Sequence, residues 1–89
     1  MTAQALRGQT GGPRLQGTVL AVDDDEPIRN LFLELFRAEG VSIRAAGSGR
    51  DAIAMVKQSA PALMLIDVSL PDQDGIAVLE EALTIDHRI

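Results

Sequence analysis

Two uninterrupted apolar runs, Val19-Leu20-Ala21-Val22 and Ala62-Leu63-Met64-Leu65-Ile66, stand out along the chain. Short runs with no polar face predict strands covered on both sides, as in parallel sheets. After the first run, Pro27 opens a helix, where its missing N–H costs nothing. Ile28, Leu31, Phe32, Leu35 and Phe36 recur there at three- and four-residue spacing and predict one wide apolar face. Leu33 falls off that face and is expected to be exposed. Gly40 marks the helix end. Val41 to Ala46 alternates enough for a half-buried strand, and Ser42 and Arg44 place it at a sheet edge. Ser48-Gly49-Arg50-Asp51 has the form of a capping box, with Asp in the place of the usual Glu. The helix that follows turns Ala52, Ile53, Met55 and Val56 inward and fades at Gln58-Ser59, and Pro61 closes the connection to the second apolar run. A loop rich in Asp, Pro and Gly spans residues 67–75, and Ile76, Val78, Leu79, Ala82 and Leu83 predict a third helix. Strand-helix three times over implies an α/β, doubly wound parallel sheet with right-handed crossovers. Residues 1–17 hold Gly8, Gly11, Gly12 and Pro13, show no periodicity, and read as a flexible leader.

Composition narrows the picture. The 89 residues suffice for one small domain, and 46% hydrophobic residues support a packed core over disorder. Phe32 and Phe36 are the only aromatics, so the core is built from Leu, Ile, Val and Ala. A net charge of −5 argues against a nucleic-acid surface, which needs clustered Lys and Arg. The absence of cysteine excludes disulfides and thiolate metal sites and suits a reducing compartment. No apolar run approaches the roughly 20 residues of a membrane span. The N-terminus has no continuous hydrophobic segment of the kind a secretory signal needs. The cytoplasm is the expected location, without membrane attachment.

Charge placement carries the chemistry. Each apolar strand runs into acid: the first into Asp23-Asp24-Asp25-Glu26-Pro27, the second into Asp67-Val68-Ser69-Leu70-Pro71-Asp72-Gln73-Asp74-Gly75. Sites in open parallel sheets lie outside the carboxyl ends of the strands. If the two strands are neighbours, Asp23, Asp24 and Asp67 converge, and three like charges at one edge call for a cation. The ligands on offer are oxygens, which suits a hard metal ion, and one carboxylate could also act as a nucleophile. Simpler readings stand beside this one. Acids ahead of a helix are favoured by its dipole, which is the better account of Asp25 and Glu26. Asp67 alone could cap a turn. Asp72 and Asp74 read as turn residues bonding their own backbone. His87 lies in a polar stretch and reads as solvated.

The first acidic segment, Val19 to Arg29, and the loop Asp67 to Gly75 together resemble the receiver domain of two-component response regulators. The spacing from Asp24 to Asp67, Gly40, and Ser48-Gly49 ahead of the second helix fit as well. The resemblance covers residues 18–89. It implies a flavodoxin-like fold whose full form has five parallel strands in the order 2-1-3-4-5. It implies that Asp67 is the phosphoacceptor, that Asp23 and Asp24 form the acidic pair, and that Mg2+ is bound by Asp24, Asp67 and the Ser69 backbone carbonyl, with Asp23 holding a metal-bound water. Pro71 and Gly75 would shape the loop. A histidine kinase or phosphotransfer protein would donate the phosphoryl group, and the chain itself would not be an enzyme.

The family also places a Thr or Ser at the end of its fourth strand and a Lys at the end of its fifth, and neither position has a counterpart in these residues. Lys57, the only lysine, lies in the second predicted helix. The expectation is therefore a receiver domain truncated before its fourth strand. Its last strand would present an apolar edge with no charge to protect it. This leaves open a second function: a receiver-like interaction or dimerisation module without phosphotransfer, able to pair with another copy. A hydrolase using an aspartyl phosphate fits less well, since such enzymes resemble an Asp-x-Asp arrangement and Ser69 stands two residues after Asp67.

Overall fold

A computed structural model describes residues 17–89, and the expected leader lies outside the described residues except for Gly17. Six elements alternate: β1 (Thr18–Val22), α1 (Glu26–Ala38), β2 (Ser42–Ala46), α2 (Gly49–Gln58), β3 (Leu63–Ile66) and α3 (Gly75–Ile85). The strands form one parallel sheet in the order β2-β1-β3. Val19 pairs with both Ile43 and Leu63, and Val22 with both Ala46 and Ile66. This is the doubly wound parallel arrangement expected from the strand-helix order, and it agrees with the incomplete flavodoxin-like fold that the resemblance implied.

Period-two alternation divides β1 between two cores. Val19 and Ala21 point to one face, where they meet Ile43 and Phe36, with Phe32, Leu33, Leu63 and Leu65 around them. Leu20 and Val22 point to the other, where Ala52, Ile53 and Val56 of α2 and Val78 and Ala82 of α3 cover them. Thus α1 covers one face of the sheet and α2 with α3 the other, and the central strand is dry on both sides.

Local signals terminate the elements as physical chemistry requires. The Asp25 side chain caps α1 by accepting from the Ile28 N–H, with Pro27 in the first turn. At the other end the N–H of Gly40 donates to Arg37 O and that of Val41 to Phe36 O, with Gly40 at φ 74°. This paired closure needs a left-handed residue, which glycine supplies without strain.

The inward face of α1 differs from the one predicted. Phe36 is buried and Phe32 and Leu33 are half-buried against the sheet, whereas Ile28, Leu31 and Leu35 are exposed at 37%, 47% and 42%. Leu33, expected outside, is packed. The helix lies chiefly over β2, and its apolar arc is wider than the strip it presents to the sheet. The third helix shows the same limit: Val78 and Ala82 are buried, while Ile76 and Leu83 are exposed.

Candidate functional site

The C-terminal ends of β1 and β3 stand side by side, where the chain leaves β1 for one edge of the sheet and returns to the other. Such switch points open a crevice in doubly wound folds. Two ladder-type bonds fix the acidic residues there. The Asp23 N–H donates to Ala46 O at 3.1 Å, and the Asp67 N–H to Val22 O at 2.9 Å. One carboxylate oxygen from each of Asp23, Asp24 and Asp67 lies within 4.8 Å of the others. Asp23 and Asp67 are half-buried and Asp24 is exposed. An all-oxygen set at this spacing, free of nitrogen and sulfur donors, fits a hard divalent cation such as Mg2+.

Further bonds set the direction of each acid. Asp23 Oδ1 accepts from the Asp25 N–H at 2.9 Å, which folds the β1–α1 loop into a tight turn. Arg29 Nη1 donates to the Asp23 carbonyl at 2.8 Å. The Arg29 guanidinium lies over Gly47, where an added Cβ would come within 3.0 Å of Nη1. Sequence reasoning passed over Arg29; its single signal is a cation one turn into the helix that follows an acidic run.

The segment from Asp67 to Gly75 is a compact hairpin. Asp67 Oδ1 accepts from the Ser69 N–H at 3.1 Å. Ser69 and Asp74 form an antiparallel bridge, and the Gly75 N–H donates to Val68 O at 3.0 Å. Gly75 is buried directly behind the phosphoacceptor candidate, and a Cβ there would collide with the Asp67 carbonyl and crowd the Val68 Cα at 2.9 Å. Asp74 caps α3 through the Ile76 N–H, in keeping with a local role. Pro71 is exposed in the hairpin turn, and Ser69 is exposed next to the acidic trio in sequence.

Asp72 does more than its reading as a turn residue bonding its own backbone foresaw. It reaches across to α2, where Oδ1 accepts from the Gly49 N–H and Oδ2 from the Arg50 N–H, both at 2.9 Å. These two donors, Gly49 first, hold the Asp72 carboxyl below its ordinary value of 3.8. His87 is exposed, and Lys57 is exposed on α2.

A parallel three-layer α/β unit with an acidic trio at its switch point defines the class to which the chain belongs. Comparison with known proteins makes the class specific. The family model described as the response regulator receiver domain matches residues 19–88. Sporulation initiation phosphotransferase F of Bacillus subtilis is 38% identical over 71 residues, covering 80% of this chain and 57% of that protein. Among solved structures, a CheY-like response regulator receiver domain protein from Methanospirillum hungatei superposes with a TM-score of 0.78 at 28% identity, covering 80% of this chain and 57% of that one. The Vibrio cholerae chemotaxis protein CheY4 shares the fold with a TM-score of 0.77 at 24% identity, covering 83% and 62% respectively. The chain belongs to the receiver domain family of two-component response regulators, and spans less than two thirds of the length of these relatives. Among the described residues, no helix is long and apolar enough to cross a membrane.

Proposed function

We propose that this chain is a phosphoacceptor that takes a phosphoryl group on Asp67 from a phosphohistidine of a histidine kinase or phosphotransfer protein, with Mg2+ held by Asp23, Asp24, Asp67 and the Ser69 carbonyl. The observation that carries this reading is the meeting of Asp23, Asp24 and Asp67 within 4.8 Å at the ends of two adjacent parallel strands. In the transfer, a carboxylate oxygen of Asp67 attacks phosphorus, the phosphorus–nitrogen bond of the phosphohistidine breaks, and its electron pair stays on the ring nitrogen, so that a phosphoimidazole protonated on its other nitrogen leaves as neutral imidazole. Asp67 Oδ1 is engaged by the Ser69 N–H, which leaves Oδ2 as the attacking atom. Arg29 fixes the Asp23 backbone and so keeps the acidic pair facing Asp67. Bound Mg2+ supplies neutralisation of the charge on the moving phosphoryl group. The chain acts as a partner in signal relay in the cytoplasm, and is not itself an enzyme.

Incubation with radiolabelled acetyl phosphate and Mg2+ tests the assignment. Asp67→Asn is expected to abolish acid-stable labelling of the folded chain, and labelling at the parental rate refutes Asp67 as the acceptor.

A second reading, association with another copy, is favoured by the outward apolar stripe Ile28, Leu31 and Leu35 and by the half-exposed edge strand β3. Light scattering that returns a monomer at high concentration removes it.

A further inference from the structure

The corner between β2 and α2 contributes no ligand to the acidic trio, yet both acidic loops are tied to it. On one side Arg29, bound to the Asp23 carbonyl, packs over Gly47. On the other side the tip of the Asp67–Gly75 hairpin is bonded to the first turn of α2 through Asp72.

The first-turn N–H groups of a helix have no partner within it. At α2 those of Gly49, Arg50 and Asp51 all find side-chain partners. The Ser48 hydroxyl accepts from the Asp51 N–H at 3.1 Å, and the Ala52 N–H makes the first helical bond to Ser48 O. The two that remain, on Gly49 and Arg50, are both taken by Asp72, a residue from a different loop. A single carboxylate using both oxygens on two adjacent N–H groups fixes the position and the orientation of the tip. Packing seals the same seam. A Cβ on Gly49 would lie 2.6 Å from both Gln73 Nε2 and Val78 Cγ2, so the hairpin and α3 approach α2 as closely as a bare glycine permits.

The hairpin transmits this anchoring. Its base is closed by the Gly75–Val68 bond and the Ser69–Asp74 bridge, and its start is bonded to the Asp67 carboxylate through Ser69. Held at the tip by Asp72 and at the base by β3, the segment carrying Ser69 has one position relative to Asp67. Without Asp72 the segment keeps the packing of Leu70 on the core and of Gln73 on Gly49 but loses both hydrogen bonds that orient its tip.

We propose that Asp72 is a positioning residue for the phosphoacceptor site: by bonding the first turn of α2 it sets where the Ser69 carbonyl and the Asp67 carboxylate stand relative to Asp23 and Asp24. This rests on the phosphoacceptor reading. Asp72 acts through the hairpin and touches none of the three acids. Removing it therefore weakens cation binding without removing a ligand.

The test compares the chain with its Asp72→Ala, Asp72→Asn and Asp67→Asn variants by 1H–15N NMR, with and without Mg2+. Without Mg2+, the Gly49 and Arg50 amide resonances move in both Asp72 variants. In Asp72→Ala the Mg2+ affinity, read from the Asp24 and Asp67 amides, is expected to fall about tenfold, the lower end of the effect of removing a residue that orients metal ligands. Asp72→Asn keeps one acceptor oxygen and is expected to lose affinity to a smaller extent. Acetyl phosphate labelling falls with the same factor at limiting Mg2+ and recovers when Mg2+ saturates, as a positioning role requires. A parental Mg2+ affinity in Asp72→Asn, with its Gly49 and Arg50 resonances shifted, overturns the proposal whether or not Asp72→Ala folds. It would mean that Asp72 only caps α2. If Asp67→Asn labels normally, or Mg2+ shifts none of the acidic amides in the parent, the phosphoacceptor reading itself fails and this inference with it.

Discussion

Asp72 makes its link to α2 as a carboxylate, so the link depends on pH in a definite sense. The N–H groups of Gly49 and Arg50 hold its carboxyl below 3.8, so folding favours the charged form. The stabilisation is fully present above the ordinary value and is lost as pH falls through the lowered one. We expect the Gly49 and Arg50 amide proton shifts to titrate together with a midpoint below 3.8, and an ordinary midpoint would show that the bonds do not persist in solution. Asp86, held at about 2 by the Arg88 guanidinium, is a second lowered carboxyl at the far end of α3. Only residue-resolved shifts separate the two. Asp23, Asp24 and Asp67 were legible in the sequence because each follows an apolar strand, and strand ends are where parallel sheets build sites. The partner of Asp72 was not legible: its donors lie far away in sequence, and an Asp between Pro and Gly carries the local signature of a turn residue. Arg29 escaped for a related reason, since its acceptor is a backbone carbonyl that no side-chain pattern reveals.

At the scale of the element, α1 shows why apolar spacing locates a helix better than it orients one. Its span was readable from Pro27 and Gly40, and both operate as termination chemistry predicts. Its buried face was misjudged, because the apolar positions form an arc wider than the strip the sheet can meet. Phe36 is 1% exposed and contacts Phe32 edge-on, with ring centroids 6.4 Å apart, whereas its neighbour Leu35 is 42% exposed. Phe36→Ala is therefore expected to cost about 3–5 kcal/mol through lost burial and the cavity left behind. Leu35→Ala should stay within about 0.5 kcal/mol, as for other surface changes. Urea denaturation of the two variants checks the contrast, and equal losses would mean that the face of α1 is rotated from the one described. In α2 the expectation held more closely: Ala52, Ile53 and Val56 are buried and Met55 packs beside them. There the covering sheet and α3 together span the apolar arc.

At the scale of the whole molecule, the sheet leaves apolar surface on one side. β3 is half-exposed along its length, and Ile28, Leu31 and Leu35 form an outward stripe on α1. Such surface promotes association. If this stripe is an interface, the double variant Leu31→Glu, Leu35→Glu is expected to shift the chain toward monomer in sedimentation experiments. Unchanged association would place the contact elsewhere, with the β3 edge the first alternative. Parallel order and the apolar edge of β3 were readable from the alternation of strands and helices, while the face that α1 turns to the sheet was not, since it depends on where the helix lies across the strands. The central position of β1 has a further consequence. Thr18 to Val22 pairs on one side with the strand that follows one helix later and on the other with β3, which comes from much farther along the chain. Closing that longer loop is the slower and entropically costlier event. The acidic trio is divided between the first strand and the last, so it comes into being only when that closure is complete. A cation that draws on all three carboxylates thus recognises a finished topology: it binds the closed chain, ignores the open one, and by mass action shifts the population between them.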